Sequence, residues 1–228
     1  MKRIIWLISL IPLVMTGVML PFMPDSVPMH YDAAGNIDRY GSKYELLILP
    51  VAALLLALGM HLMIRWFEKK EAGEADEKTR AAAKANGKVL KIAAVVTMSV
   101  AVVIYGIILI ATLSVARKGS SVAEVDFLKI SCIAIGALLI VLGNFMPKSK
   151  MNSVFGLRVS WSMYNDVCWQ KSNLVSGIAL MAAGALTIIA AIFLNGWIAM
   201  GLMTAFLLAA MIISLVYAYK VYREEKEK

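Results

Sequence analysis

Apolar residues in this chain come in six long, nearly uncharged blocks separated by polar stretches. A helix rises about 1.5 Å per residue and the hydrocarbon layer is about 30 Å thick, so a crossing needs roughly 20 apolar residues. Residues 4–22, 46–64, 92–113, 127–146, 174–194 and 197–219 each meet that test, which predicts six transmembrane helices. The uncharged stretch 174–219 is too long for one crossing, and Asn195-Gly196 in its middle is a strong breaker, so it reads as a tight helical hairpin. Lys129 falls in the first turn of the fourth block, where its long stem can snorkel to the interface.

Composition agrees with this reading. The chain has 228 residues, 61% of them hydrophobic, and a mean hydropathy of +0.76, values that place it in the membrane class. Lys2 and Arg3 before an apolar run would also suit a signal peptide. Block 4–22 is longer than a usual signal core and lacks an A-x-A cleavage pattern, so it is expected to be retained as a helix. Cys132 lies in an apolar block and Cys168 in a polar loop, unlike depths that argue against a disulfide.

The formal charge of +8 matters through its placement. Eighteen of the 23 Lys and Arg residues fall on the side of the termini and the loops 65–91 and 147–173; five fall on the other side. Basic residues concentrate in cytoplasmic loops, so both termini are expected in the cytoplasm. The positive balance is a topology signal and gives no support for direct nucleic-acid binding. The expected fold class is all-α: a polytopic membrane protein with six transmembrane helices, N-in and C-in, and a short β-hairpin in its first outer loop. Three regions follow: 1–66, the first two helices with that loop; 67–91, a charged cytoplasmic connector; and 92–228, four helices with the loop 147–173. Within the connector, the Ala-rich stretch 79–85 suits a solvated helical extension of the second or third span.

Two loops carry chemistry. In the outer one, 24–45, residues 27–32 and 37–40 favour strands, and Ala33-Ala34-Gly35-Asn36 between them is turn chemistry. Such a hairpin would bring His30, Asp32 and Asp38 toward its base. Zinc needs three or four ligands, however, and the loop supplies one His and no Cys. The expected reading is therefore no metal, with His30 and Arg39 paired to local carboxylates. In the loop 147–173, two Trp, one Phe and one Tyr occur in a short polar setting, and Asn165 is placed to cap a helix running through Trp169 into the fifth span. Arg158, Lys148 and Lys150 are the cations nearest the membrane there, placed for lipid phosphates or a helix C-terminus. Two readings stay open for this loop: anchoring by amphipathic rings at the interface, or a groove for a ligand or partner.

Together the loops resemble the SdpI family of bacterial membrane proteins, toxin immunity proteins and signal transducers. The outer loop, with Pro24-Asp25, Val27-Pro28-Met29-His30-Tyr31, Gly35 and Asp38-Arg39-Tyr40-Gly41-Ser42-Lys43, is similar to a small extracytoplasmic domain of unknown function common in that family. The inner signature is Met146-Pro147-Lys148, Asn152, Phe155-Gly156-Leu157-Arg158, Trp161, Trp169 and Asn173; Ser160 stands before Trp161 where the family often has Pro. The resemblance implies a protein that binds a secreted antimicrobial peptide toxin outside, protects the cell, and holds a small transcriptional repressor inside. Its candidate binding residues are Asn152, Phe155, Gly156, Arg158, Trp161, Trp169 and Asn173, with His30, Asp32, Asp38 and Arg39 outside.

No nucleophile with a base, no paired catalytic carboxylates, no metal set and no HExxH, GxSxG or P-loop pattern is visible, so the chain is expected to be no enzyme and to need no cofactor. The rival reading is a small transporter or flippase built as a 3+3 inverted repeat. Phe22-Met23-Pro24 and Phe145-Met146-Pro147 each close the first span of a three-helix half, on opposite faces of the membrane. Against coupled transport, the spans carry no Asp, Glu, Lys or Arg in their central two-thirds; His61 is the ionisable residue there.

Overall fold

The computed structural model describes all residues except 33–35, 74–75, 120–125 and 153. It has six long helices: α1 (Lys2–Met19), α2 (Ile48–Gly73), α3 (Glu77–Lys118), α4 (Phe127–Phe145), α5 (Asp166–Phe193) and α6 (Gly196–Lys226). All six are long and apolar enough to cross a membrane, and the protein is multi-pass. Many apolar side chains on them remain exposed, as expected where lipid replaces water as the solvent. The Ala-rich connector belongs to the third span: α3 starts at Glu77, where the Asp76 carboxylate caps it by accepting from the Thr79 N–H (2.8 Å) and hydroxyl (2.6 Å). Asn195 caps α6 through the Ile198 N–H (3.0 Å), completing the expected α5–α6 hairpin. Both cysteines are buried free thiols.

The first outer loop does form a hairpin, β1 (Ser26–Tyr31) against β2 (Ile37–Ser42), antiparallel and irregular around Met29. Residues 33–35 of its expected turn lie outside the described residues. Val27 of β1 is fully buried with Met23, Leu46, Tyr105 and Leu109, which seats the hairpin on the ends of α1 and α3. Opposite the hairpin lies the loop end, which carries the start of α1, the end of α2, the start of α3 and residues 146–165.

Helices α1, α2 and α3 pack together, as do α4, α5 and α6, and α3 meets α4 between the two sets. The halves begin alike. Leu20–Phe22 and Met146–Lys148 are one-turn 3₁₀ helices with proline second, each closed by a 3.2 Å backbone bond, Met23 N–H to Leu20 and Ser149 N–H to Met146, and each followed by a buried extended residue with ψ 141°. The structural match therefore pairs Pro21 with Pro147, three residues away from the Phe-Met-Pro correspondence visible in the sequence. The same register pairs Gly17 of α1 with Gly143 of α4.

What surrounds those two glycines differs. A Cβ on Gly143 would lie 2.6 Å from the Gly177 carbonyl oxygen, and one on Gly136 would lie 2.7 Å from that of Gly184. Two glycine pairs with the same seven-residue spacing thus let the α4 and α5 backbones touch, the small-residue packing typical of membrane helices. A Cβ on Gly17 would meet nothing within 4 Å. Instead α1, α2 and α3 leave a cavity of about 370 Å³ between them.

Candidate functional site

On the hairpin, short-range pairs use most of the polar groups. The His30 ring Nδ1 and Asp38 Oδ1 are 2.6 Å apart, and Arg39 donates to Glu45 at 3.1 Å. Asp32 accepts from the Asn36 N–H at 2.8 Å and from its Nδ2 at 3.0 Å. His30 and Asp38 are thus a pair, and Asp32 is engaged with the turn. Among the described residues no three His, Cys, Asp or Glu side chains come together as a metal-holding group. Lys43 sits 2.9 Å from Asp25 and holds that carboxyl below its usual range. Ser42 and Glu45 form a reciprocal capping box at the start of the turn that leads into α2. These contacts fix the hairpin's shape and leave Tyr40 and Tyr44 exposed on it.

The inner loop is built around the first turns of α5. Asn165 caps that helix as expected, accepting from the Cys168 N–H at 2.7 Å. Trp169, one turn on, is 1% exposed, and its Nε1–H donates to the Ser149 carbonyl at 2.9 Å. It is a core residue, which removes it from the interfacial anchors that the polar flanks suggested. Asn173, fully buried, accepts from the Leu157 N–H at 2.7 Å and donates to the Trp169 carbonyl at 3.0 Å. Gly156 lies against both. Its φ of 117° favours glycine, and a Cβ there would strike Asn173 Oδ1 and stand 3.0 Å from the Trp169 ring.

Asn152 organises the preceding turn: its Oδ1 accepts from the N–H groups of Val154 (2.7 Å) and Phe155 (2.8 Å), and its Nδ2 donates to the carbonyls of Lys150 (2.7 Å) and Phe155 (3.0 Å). All four of its hydrogen-bonding capacities are therefore spent on the loop itself. Phe155 stays half-buried in that turn. Trp161 is half-buried too and meets Tyr219 of α6 edge to face, 5.1 Å between centroids. Lys148 donates to Asn144 in the last turn of α4 (3.3 Å) and lies over the Phe145 ring, a cation at a helix C-terminus.

Three residues that the sequence did not single out tie this loop down. Asn86 of α3 accepts from the Lys150 N–H at 2.9 Å. Val154 packs onto a core of α1, α2 and α3 that includes Ile5, Ile64, Phe67 and Met98. Ser162, fully buried, donates to the Leu157 (2.6 Å) and Val159 (3.0 Å) carbonyls. A lone Asn in an Ala- and Lys-rich helical stretch was the visible signal for Asn86; the other two had none. The loop thus joins the two halves, since its signature residues hold α5 while Val154 and Lys150 reach α1–α3. Arg158 is the exception among them. It is exposed, and among the described residues no carboxylate or hydrogen-bond partner meets its guanidinium. Met163, Tyr164 and Val167 are exposed beside it in sequence.

Comparison with known proteins agrees with this division. Residues 148–218 match the SdpI/YfhL protein family, and residues 7–54 match a domain of unknown function, DUF1648. A curated relative, "Immunity protein SdpI" of Bacillus subtilis (strain 168), is 27% identical over 101 residues, 44% of this chain and 48% of the relative. The chain thus spans about half the length of that relative in the match. No solved structure matches. The SdpI/YfhL match covers the signature loop from Lys148, α5 and most of α6, and the DUF1648 match covers most of α1, the hairpin and the start of α2.

Proposed function

We propose that this chain is a non-enzymatic membrane immunity and signalling protein, with both termini in the cytoplasm, that binds a secreted antimicrobial peptide on its hairpin face. The loop 147–173 on the opposite face carries the response and holds a small transcriptional repressor while the peptide is bound. The observation that carries this reading is the exposed Arg158, unpaired among the described residues, on a loop whose other signature residues are engaged within the loop and with α4, α5 and α6. A forked cation on a loop that also exposes Met163 and Tyr164 has the composition of a protein-binding hot spot. The relative's printed name supports immunity as the physiological role, and the distribution of Lys and Arg supports the orientation.

The test is survival of cells with and without the protein when challenged with a panel of secreted antimicrobial peptides. Protection against at least one peptide is expected, together with its loss in Arg158→Ala while the protein accumulates normally in the membrane. Equal survival of both strains against every peptide would sink the reading.

One observation favours a second reading. The matched Pro21 and Pro147 turns, on opposite faces, suit an inverted repeat and hence a small transporter or flippase. Lipid scrambling or solute uptake by the purified protein in vesicles would replace the immunity reading.

A further inference from the structure

The cavity in the first half lies wholly within membrane-spanning segments. Ser9 and Pro12 of α1, Leu49 to Leu56 of α2, and Met98 to Ile108 of α3 line it. Along α2 that is a rise of seven residue steps and along α3 ten, so the slot runs about 10–15 Å parallel to the helices. This is about half of a ~30 Å hydrocarbon layer, a length equal to the thickness of one leaflet. Its position follows from the same counting. Pro12 is near the middle of α1, whereas Leu49 is in the first turn of α2 beneath the hairpin. Ser9 and Met98 lie on the loop side of the middle of their spans, so the slot crosses the midplane and ends near Leu49, on the hairpin side.

Its chemistry is apolar throughout. Two lining residues carry hydroxyls, and both are already used: Ser9 donates to the Trp6 carbonyl at 3.0 Å, and Tyr105 donates to the Leu46 carbonyl at 2.9 Å and contacts Thr16. With both hydroxyl protons committed, the lining offers no free side-chain donor to orient a polar ligand, and an apolar cavity of this kind takes apolar guests. The slot is also open to the side. Leu49 and Leu56 on its rim are 52% and 46% exposed, and on a membrane-spanning helix exposed leucines face hydrocarbon. At about 370 Å³ it sits at the small end of ligand-pocket sizes, which suits one chain and excludes a whole lipid. Above it, Tyr44 is exposed and Lys43 lies 5.9 Å from the centre of its ring, an aromatic and a cation at headgroup level.

We propose that this slot between α1, α2 and α3 binds one acyl chain of a phospholipid from the leaflet on the hairpin's side, with the headgroup beside Tyr44. Length, shape and lining select the occupant: the slot is as long as one leaflet is thick, opens to hydrocarbon, and offers no free side-chain donor below the interface. Tyr105 belongs both to its wall and to the cluster that seats the hairpin, so an occupied slot braces the hairpin from beneath. The assignment does not rest on the immunity reading.

The test uses the full chain in vesicles of phosphatidylglycerol and phosphatidylethanolamine doped with a phosphatidylglycerol that carries a photoactivatable diazirine in its acyl chain. After illumination, labelled positions are mapped by mass spectrometry. Preferential labelling of α2 and α3 at the slot is expected, falling in Ala53→Phe and Ala101→Phe to the level seen on the lipid-facing surface of α6. Val103→Phe, on an exposed part of α3 outside the slot, should leave the labelling intact. Slot labelling no stronger than on α6, or labelling unchanged by both filling substitutions, overturns the proposal. If the slot is unlabelled and Ala53→Phe abolishes peptide protection, the occupant is an apolar peptide segment and the acyl-chain assignment fails. Should either Phe variant not fold, Ala101→Val narrows the slot with a smaller change, and unchanged labelling there overturns the proposal equally.

Discussion

The two halves of this molecule begin with the same device and end with opposite packing. Each opens on a helix of 18 or 19 residues, a proline-bearing 3₁₀ turn and a buried extended residue, followed by a loop and two long helices. In the second half, Gly136 and Gly143 of α4 touch the backbone of α5 at Gly184 and Gly177. In the first, a Cβ on Gly17 would meet nothing within 4 Å, and a cavity lies between helices that are otherwise in contact. Without a hydrophobic driving force between helices in lipid, close backbone contact is what holds a bundle together. The second half is thus closely packed beneath the signature loop at its glycine seam, and the first leaves a cavity between its helices and carries the hairpin on its rim.

The largest expected effect is at the paired glycines. Leucine at Gly143 must push α4 off α5, and overpacking a tight contact costs about 1–3 kcal/mol or more, so Gly143→Leu should sharply lower thermal stability in detergent. Gly17→Leu, at the matched position of α1, should leave the protein folded. Equal damage at both positions would break the comparison.

Close behind comes Trp169. Truncating a fully buried Trp costs about 3–5 kcal/mol in a well-packed site, so Trp169→Ala should unfold the loop and lower membrane accumulation. Trp66→Ala, at a half-exposed ring on α2, should cost under about 1 kcal/mol. A smaller effect tests the bridge between halves. Asn86→Ala leaves the Lys150 N–H without its partner, a loss of about 1–3 kcal/mol where the site is dry. Proteolysis of the 149–165 loop should quicken in that variant. Smallest in stability is Arg158→Ala, within about 0.5 kcal/mol because the side chain is exposed and, among the described residues, unpaired. Its expected consequence is lost protection, and a marked loss of stability would show that Arg158 too is structural.

Much of this fold was legible because each element depends on short-range chemistry. Hydropathy alone marks six spans, since lipid demands apolar length whatever the neighbours are. Asn165 and Asn195 announce helix starts through side-chain capping, and the strand runs around residues 33–36 fold back as their residue types require. The site was less legible. A Trp in a polar loop reads as an interfacial anchor until the loop's path is known, and only tertiary structure places Ser149 to receive its N–H. Of His30, Asp32 and Asp38, the first and last pair with each other, while Asp32 accepts two hydrogen bonds from Asn36. The equal spacing of the four glycines is present in the sequence, but one helix alone cannot say that another meets it. The Phe-Met-Pro correspondence differs in register from the local backbone likeness, which aligns the 3₁₀ turns at Pro21 and Pro147.

The most direct test of a sealed second half and an open first half is one substitution made once in each. Ala53 lines the cavity on α2, whereas Ala183 is 3% exposed within α5. Thermal unfolding of Ala53→Phe and Ala183→Phe should be compared in the same detergent. A melting temperature held or raised by the first and lowered by several degrees or more by the second, at about 2–4 °C per kcal/mol for a chain of this size, is the predicted result. Equal destabilisation by both would contradict the account.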